Sequence, residues 1–491
     1  MPRPLALLAL LAILPGCGGR EGEGPIEITY WEKWTKFEGQ AAIDTVKAFN
    51  QKYEGRIRVD HVQISEIERK LLVAIAGGNP PDVAGSYTFC VYPYADRNAL
   101  VPLDDYLAEA GITREDYLPV FWDMCHYRGH MWALPTTPAT VALHWNKRLF
   151  RESARELRDA GLDPERAPRT IEELDRYADV LTRRDEEGNI VQAGFLPQEP
   201  GWWDWSWGHW FGGELWDGED TITADSPGYV RAFQWVADYS KRYGAKDIRK
   251  FVGGFGNFSS PQNAFLAGKV AMEVQGVWMH NFIDQYAPGM EVGVAPFPRH
   301  EVPPGVDPSD PEMGTTIADA DVIVIPRGSR HPDAAWEFIR FVNSREGMEI
   351  LCLGQRKFSP LRDVSPGFWR RQRHPDYVRF FYRLAHSRFC TYAPKTGVLR
   401  EFQREMDNAF DKVGNLDASP QEALAEVDQR MQRSLDRDLR RIRLRQEAEP
   451  WQLLYPAAAV AAVALAAVAT AWAVRRLRRP RPAPRGAPPT L

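Results

Sequence analysis

Residues 26 to 87 alternate between two periodicities, and that alternation constrains the fold more than any other feature of the chain. Ile26-Glu27-Ile28-Thr29-Tyr30-Trp31 switches between apolar and polar at every step and is β-rich, which predicts a strand. A helix follows over about Gly39 to Lys52, with Ala42, Val46 and Phe49 on one face. Ile57 to Val62 alternates again, and Ile64 to Ala76 is a second amphipathic helix, stopped by Gly77-Gly78-Asn79-Pro80-Pro81. Val83 to Gly85 begins a short buried strand. A β-α-β-α-β order predicts an α/β domain with a mainly parallel sheet. Ligands of such sheets bind beyond the carboxyl ends of the strands, and those ends carry Trp31, Glu32, Lys33 and Trp34, then Ser86 and Tyr87.

Further along, Trp132 to Trp145 reads as extended, because Pro135 and Pro138 remove donors and forbid helix. Helical patterns cover Ile171 to Arg183, Tyr229 to Tyr243, Pro261 to Ala267, Pro332 to Asn343, Phe402 to Val413 and Pro420 to Arg443. Strand patterns return around Val292 and at Val322 to Pro326, and no internal repeat is present. A chain of 491 residues can bury two or three cores. Its net charge of -5 and the lack of a basic block in the globular part exclude nucleic acid as a partner. Cys90, Cys125, Cys352 and Cys390 form no C-x-x-C pair, so zinc ribbons and thioredoxin-like chemistry are disfavoured, while disulfides stay open.

Both ends carry membrane signals. Arg3, the apolar run Leu5 to Leu14 and then Leu14-Pro15-Gly16-Cys17 form a secretory signal that ends like a lipobox, with Cys17 as the lipidation site and Pro15 as a departure from that pattern. Residues 1–17 are thus expected to be signal and residues 18–25 a flexible tether. At the other end Pro456 to Val474 is uncharged, and Leu453 and Leu454 extend it to the length of a transmembrane helix over residues 453–474. Six arginines from Arg475 to Arg485 follow, which places residues 475–491 in the cytoplasm and the globular part outside.

The densest chemical feature runs from Gly201 to Trp216, where six tryptophans are mixed with Gly, Asp and His. A core stretch would be more aliphatic. Flat aromatic faces match the C–H face of a sugar ring, and carboxylates and amides match its hydroxyl rim. About half of the six are expected in the core and half toward ligand, by the usual composition of pockets. Glu199, Asp204, Glu214 and Asp217 lie nearby and keep a glycosidase reading open, since that chemistry needs two carboxylates across one bond. No nucleophile elbow, metalloprotease helix or phosphate loop is present.

Several short motifs occur in one order: Gly77 to Val83; Trp132-Ala133-Leu134-Pro135 followed by Trp145-Asn146-Lys147-Arg148-Leu149-Phe150; Pro168-Arg169-Thr170-Ile171-Glu172-Glu173-Leu174; Ala264 to Met272 followed by Gly276-Val277-Trp278; and Ala334-Ala335-Trp336-Glu337-Phe338-Ile339. With Trp31 closing the first strand, this order resembles the extracellular solute-binding proteins of family 1, the maltose-binding-protein type, over roughly residues 26 to 440. The resemblance implies a two-lobed periplasmic-binding fold of type II. Residues 26–140 and about 293–342 would form the N-terminal lobe, and residues 141–292 and about 343–445 the C-terminal lobe. It implies a carbohydrate ligand between the lobes, ABC permease subunits as partners, no cofactor, no metal and no catalysis. The ligand-binding set expected is Trp31, Glu32, Trp34, Ser86, Tyr87, Glu199, Trp202, Trp203, Trp278 and Arg400. Ser86 stands where maltose-binding protein has a stacking tryptophan, so that platform is lost or moved to Tyr87. Asp82 and Asn146 are expected to be turn and hinge residues. The alternatives are a membrane-anchored carbohydrate-active hydrolase and a sensory ectodomain.

Overall fold

The computed structural model describes residues 24–445 and 447, residue 258 excepted. The expected signal, Cys17, most of the tether, the span at 453–474 and the tail at 475–491 lie outside the described residues. Among the described residues no helix is long and apolar enough to cross a membrane.

The opening alternation folds in the order its pattern dictates: strand Ile26–Glu32, helix Lys36–Lys52, strand Ile57–Gln63, helix Ile67–Ala76 and strand Val83–Tyr87. Ile26–Glu32 lies between the other two strands and is parallel to both, with Ile26 opposite Ile57 and Tyr30 opposite Val83. The sheet as a whole is not mainly parallel. Strand Thr316–Val324 joins Val83–Tyr87 antiparallel, and strand Leu134–Asn146 joins Thr316–Val324 antiparallel. The reason lies in the chain path: Leu134–Asn146 leaves the first core for the second and Thr316–Val324 returns from it, so neither joins its neighbour through a local helical crossover.

Strand Leu134–Asn146 is buried along its entire length. Its first half pairs with Thr316–Val324, and its second half pairs with Met272–Gly276 and Val292–Ala295. Pro138 sits opposite Ala320 beside a register shift, where a missing amide donor interrupts no regular ladder. Asn146 ends the strand, and its side chain accepts from the amides of Arg148 and Leu149 to start the next helix. Asp82 is a tie as well, accepting from the Thr29, Arg330 and His331 amides.

Buried side chains divide into two main cores. One gathers Ile28, Phe49, Leu71, Val83, Leu134, Val322 and Ile339. The other gathers Leu143, Phe150, Tyr177, Trp207, Phe233, Met272 and Phe410. The long strand crosses between them: Ala139 and Ala142 belong to the first, while Val141 and Leu143 belong to the second. The chain crosses again around Val277, which lies in the first core between Val274 and Phe297 of the second, at Ile317 and Ala318, and at Val398 and Leu399.

Two expectations are corrected here. Residues 343–445 do not all join the second core, because Met348, Leu351, Cys352, Phe358, Phe368, Val378 and Phe381 pack in the first. The cause is a close helix contact: a Cβ on Gly354 of helix Arg345–Gly354 would come within 2.5 Å of the Ala41 Cβ on helix Lys36–Lys52, so the glycine lets the helices touch. Phe297, by contrast, packs in the second core. Pro261 to Ala267 forms turns rather than a helix. Asn263 accepts from the Leu266 amide, and Gly268 at φ +66° turns the chain before a helix can lengthen.

Candidate ligand site

Parallel strands bring their carboxyl ends to one edge, so the residues just past Glu32 and at Tyr87 meet there. They open on a cleft of about 490 Å³ lined from both cores. Lys33, Trp34, Tyr87, Thr137, Asp319, Asp321 and Lys357 line it together with Trp202, Trp278, Phe282 and Gln285; Trp278 packs against both cores and Phe282 against a small third cluster. Trp34 and Tyr87 meet edge to face at 6.4 Å, and Tyr87 stacks on Phe89 at 5.0 Å. Trp202 lies 5.5 Å from Trp278 and 5.4 Å from Trp203. Trp278 has its place because Gly276 lacks a side chain: a Cβ there would come within 2.2 Å of the indole.

The floor is charged yet balanced. Asp321 accepts from Thr137 Oγ1 at 2.6 Å and pairs with Lys33 Nζ at 3.2 Å and Lys357 Nζ at 3.5 Å. Lys33 also reaches Glu32 at 3.4 Å and the Ser86 carbonyl at 3.1 Å. Burial alone would lower the Lys33 ammonium, but Asp321 and Glu32 outweigh it and hold its pKa raised. Lys33 and Lys357 lie 4.8 and 5.1 Å from the Trp34 ring centroid, so the ring is bracketed by cations. Three lysines (Lys33, Lys36, Lys357) face three carboxylates (Glu38, Asp319, Asp321) in the lining. Asp319 reaches solvent in the cleft but is enclosed by protein on its other sides, and that enclosure pushes it up to about 6 although Thr88 donates to it at 2.5 Å.

Of the residues singled out in the sequence, Trp34, Tyr87, Trp202 and Trp278 line this cleft. The others do not. Trp31 is half-buried against the first core. Glu32 is 5% exposed and turned inward, accepting from the Tyr30 hydroxyl and the Lys33 amide, so it backs the floor without reaching the cavity. Ser86 is buried and meets the site only through its carbonyl. Glu199 is buried in the second lobe, where burial pushes it up to about 7. Trp203 donates to the Val274 carbonyl at 3.0 Å and serves the second core. Arg400 lies over Phe89, 4.4 Å from the ring centroid, in a separate concavity of about 660 Å³. Of the six tryptophans between 202 and 216, Trp205, Trp207 and Trp210 are buried, and Trp202 alone reaches the cleft. Sequence reasoning missed Asp319, Asp321 and Lys357. Two aspartates inside an otherwise apolar strand, Thr316–Val324, were the available signal for the first two. Cys90, Cys125, Cys352 and Cys390 are free thiols here, and burial pushes Cys90 and Cys390 up to about 12.

The model of the family described as bacterial extracellular solute-binding protein matches residues 37–349. The chain is a bacterial extracellular solute-binding protein. This solute-binding protein is 23% identical over 345 residues to a maltotriose-binding protein of Pyrococcus abyssi, covering 69% of this chain and 67% of that one. It is 24% identical over 264 residues to an sn-glycerol-3-phosphate-binding periplasmic protein of Pectobacterium atrosepticum, covering 50% and 54%. Among solved structures, CpMnBP1 with mannobiose bound superposes with a TM-score of 0.69 at 27% identity, covering 82% of this chain and 98% of that one. Membership places the globular part of the solute-binding protein outside the cytoplasm, and its fold is the two-lobed α/β fold of its structural neighbours.

Proposed function

We propose that the cleft binds a neutral oligosaccharide without cleaving it, and that the loaded protein delivers it to an ABC permease. The observation that carries this reading is the pairing of aromatic faces from both cores, Trp34 and Tyr87 with Trp202 and Trp278, around a polar floor of equal opposite charges. Sugar rings present an apolar face and a hydroxyl rim, and such a lining meets both. Of the lining lysines, Lys33 and Lys357 are already paired with Asp321, which weakens the case for a phosphoester. The sugar-bound neighbour and the maltotriose-binding relative support the sugar class. Cys17 and the apolar segment at 453–474 would hold the protein at the membrane.

The test is titration calorimetry of the full chain with mannobiose, mannotriose, maltotriose and glycerol 3-phosphate, with chromatography of each ligand afterwards. A neutral oligosaccharide should bind and be recovered intact. Released monosaccharide would replace this reading by a hydrolase, and preference for the phosphoester would replace the ligand class.

A further inference from the structure

We propose that His280, Asp284 and His374 form a binding site for a divalent first-row transition metal ion, zinc in the first instance, behind the helix that supplies one wall of the cleft. Each of the three can bring one ligand atom within 4.8 Å of the other two. His280 and Asp284 are four residues apart on helix Met279–Tyr286 and therefore share a face. Phe282 and Gln285 of the same helix line the cleft from the opposite side. His374 comes from the segment packed on the first core and lies just before helix Pro375–Leu384.

The hydrogen bonds leave donor atoms for an ion. His280 Nε2 lies 2.9 Å from the Arg356 carbonyl oxygen, which can only accept, so Nε2 carries the proton and Nδ1 holds a lone pair. Nδ1 is buried and has no hydrogen-bond partner among the described residues. A buried acceptor without a donor calls for an explanation. An imidazole that gives one N–H to a carbonyl and keeps the other nitrogen bare is the arrangement of metal-ligating histidines. His374 Nε2 stands 2.9 and 3.0 Å from the two oxygens of Asp284, a spacing that an ion replacing the shared proton can bridge. Arg373 and Arg356 sit on Asp284 Oδ2 at 2.8 and 3.9 Å, so Oδ1, 2.9 Å from His374 Nε2, is the oxygen the ion would take together with that nitrogen. Two imidazoles and one carboxylate form a three-ligand set with a further position open to water. The neighbouring arginines oppose a cation, so the affinity expected is weaker than that of closed cysteine sites.

The probe is zinc chloride alone, titrated into the full chain, into His374→Gln and into His280→Gln, with melting curves of each at equal zinc. The His374 side chain is 41% exposed, so His374→Gln should fold and melt as the wild type does without metal. Wild type should bind one zinc ion per chain and melt higher in its presence. Both variants should bind at least tenfold more weakly and lose the zinc-dependent rise. Zinc affinity in His374→Gln equal to wild type, or no saturable binding by the wild type, overturns the proposal and leaves the trio as an ion-pair clamp.

Discussion

Trp202, Trp203 and Trp278 are alike as residues yet have different surroundings. Trp202 and Trp278 line the cleft, whereas the Trp203 indole donates to Val274 and fills the edge of the second core. Truncating an aromatic anchor costs about 2 kcal/mol of binding, roughly a thirty-fold rise in Kd. Trp202→Ala and Trp278→Ala should each show that loss in calorimetry with the selected oligosaccharide. Trp203→Ala should instead lower the melting temperature and spare affinity in the folded fraction. Equal affinity across all three variants would mean that the cavity is not where the sugar sits. The local sequence could not have sorted these residues, because neighbouring aromatic positions have the same chemistry and differ only in what the distant strand Met272–Gly276 places beside them. Trp34 and Tyr87 were legible for a reason that reaches beyond composition: they stand at the carboxyl ends of parallel strands, where α/β sheets open.

At the scale of the element, strand Met272–Gly276 matters most for the site. It pairs with the second half of the long strand, with Val141 opposite Gly276, and so fixes where Trp278 begins its helix. Gly276→Ala would drive a methyl group to within 2.2 Å of the Trp278 ring, far inside contact distance, so the ring must move. Overpacking of this kind typically costs about 1–3 kcal/mol. The expected result is a lower melting temperature together with weaker oligosaccharide binding, read by thermal denaturation and calorimetry on the same samples. A variant with wild-type affinity would show that the platform tolerates displacement. The extended reading of Trp132 to Trp145 came from its two prolines, and the structure has strand Leu134–Asn146 there. The helical reading of Pro261 to Ala267 failed because a short pattern bounded by Asn263 and Gly268 suits a turn as well as a helix.

Across the whole molecule, two cores are joined where the chain crosses near residues 141, 277, 317 and 398, and connections this few are where a hinge closure would be absorbed. Ligand contacting both aromatic walls favours the state in which those walls are close, and only such a difference in affinity can shift the population. Small-angle scattering of the purified protein should therefore give a smaller radius of gyration with saturating oligosaccharide than without. An unchanged radius at saturation would show that closure is not the signal a permease reads.

The sequence alone determined the order of strands and helices through residue 87, the long extended crossover, the family motifs and two of the aromatic positions, Trp34 and Tyr87, that line the cleft. Each of these is carried by local periodicity, by residue types that permit or forbid a backbone shape, or by short ordered patterns. Tertiary structure decided which lobe received residues 348–385, which tryptophan faced the cleft, and that Lys33, Lys357 and Asp321 would meet. Lys357 is more than three hundred residues from Lys33, and they meet because Gly354 lets one helix settle against Ala41. Packing between distant segments sets such encounters, and no window of local sequence contains the partner that decides them.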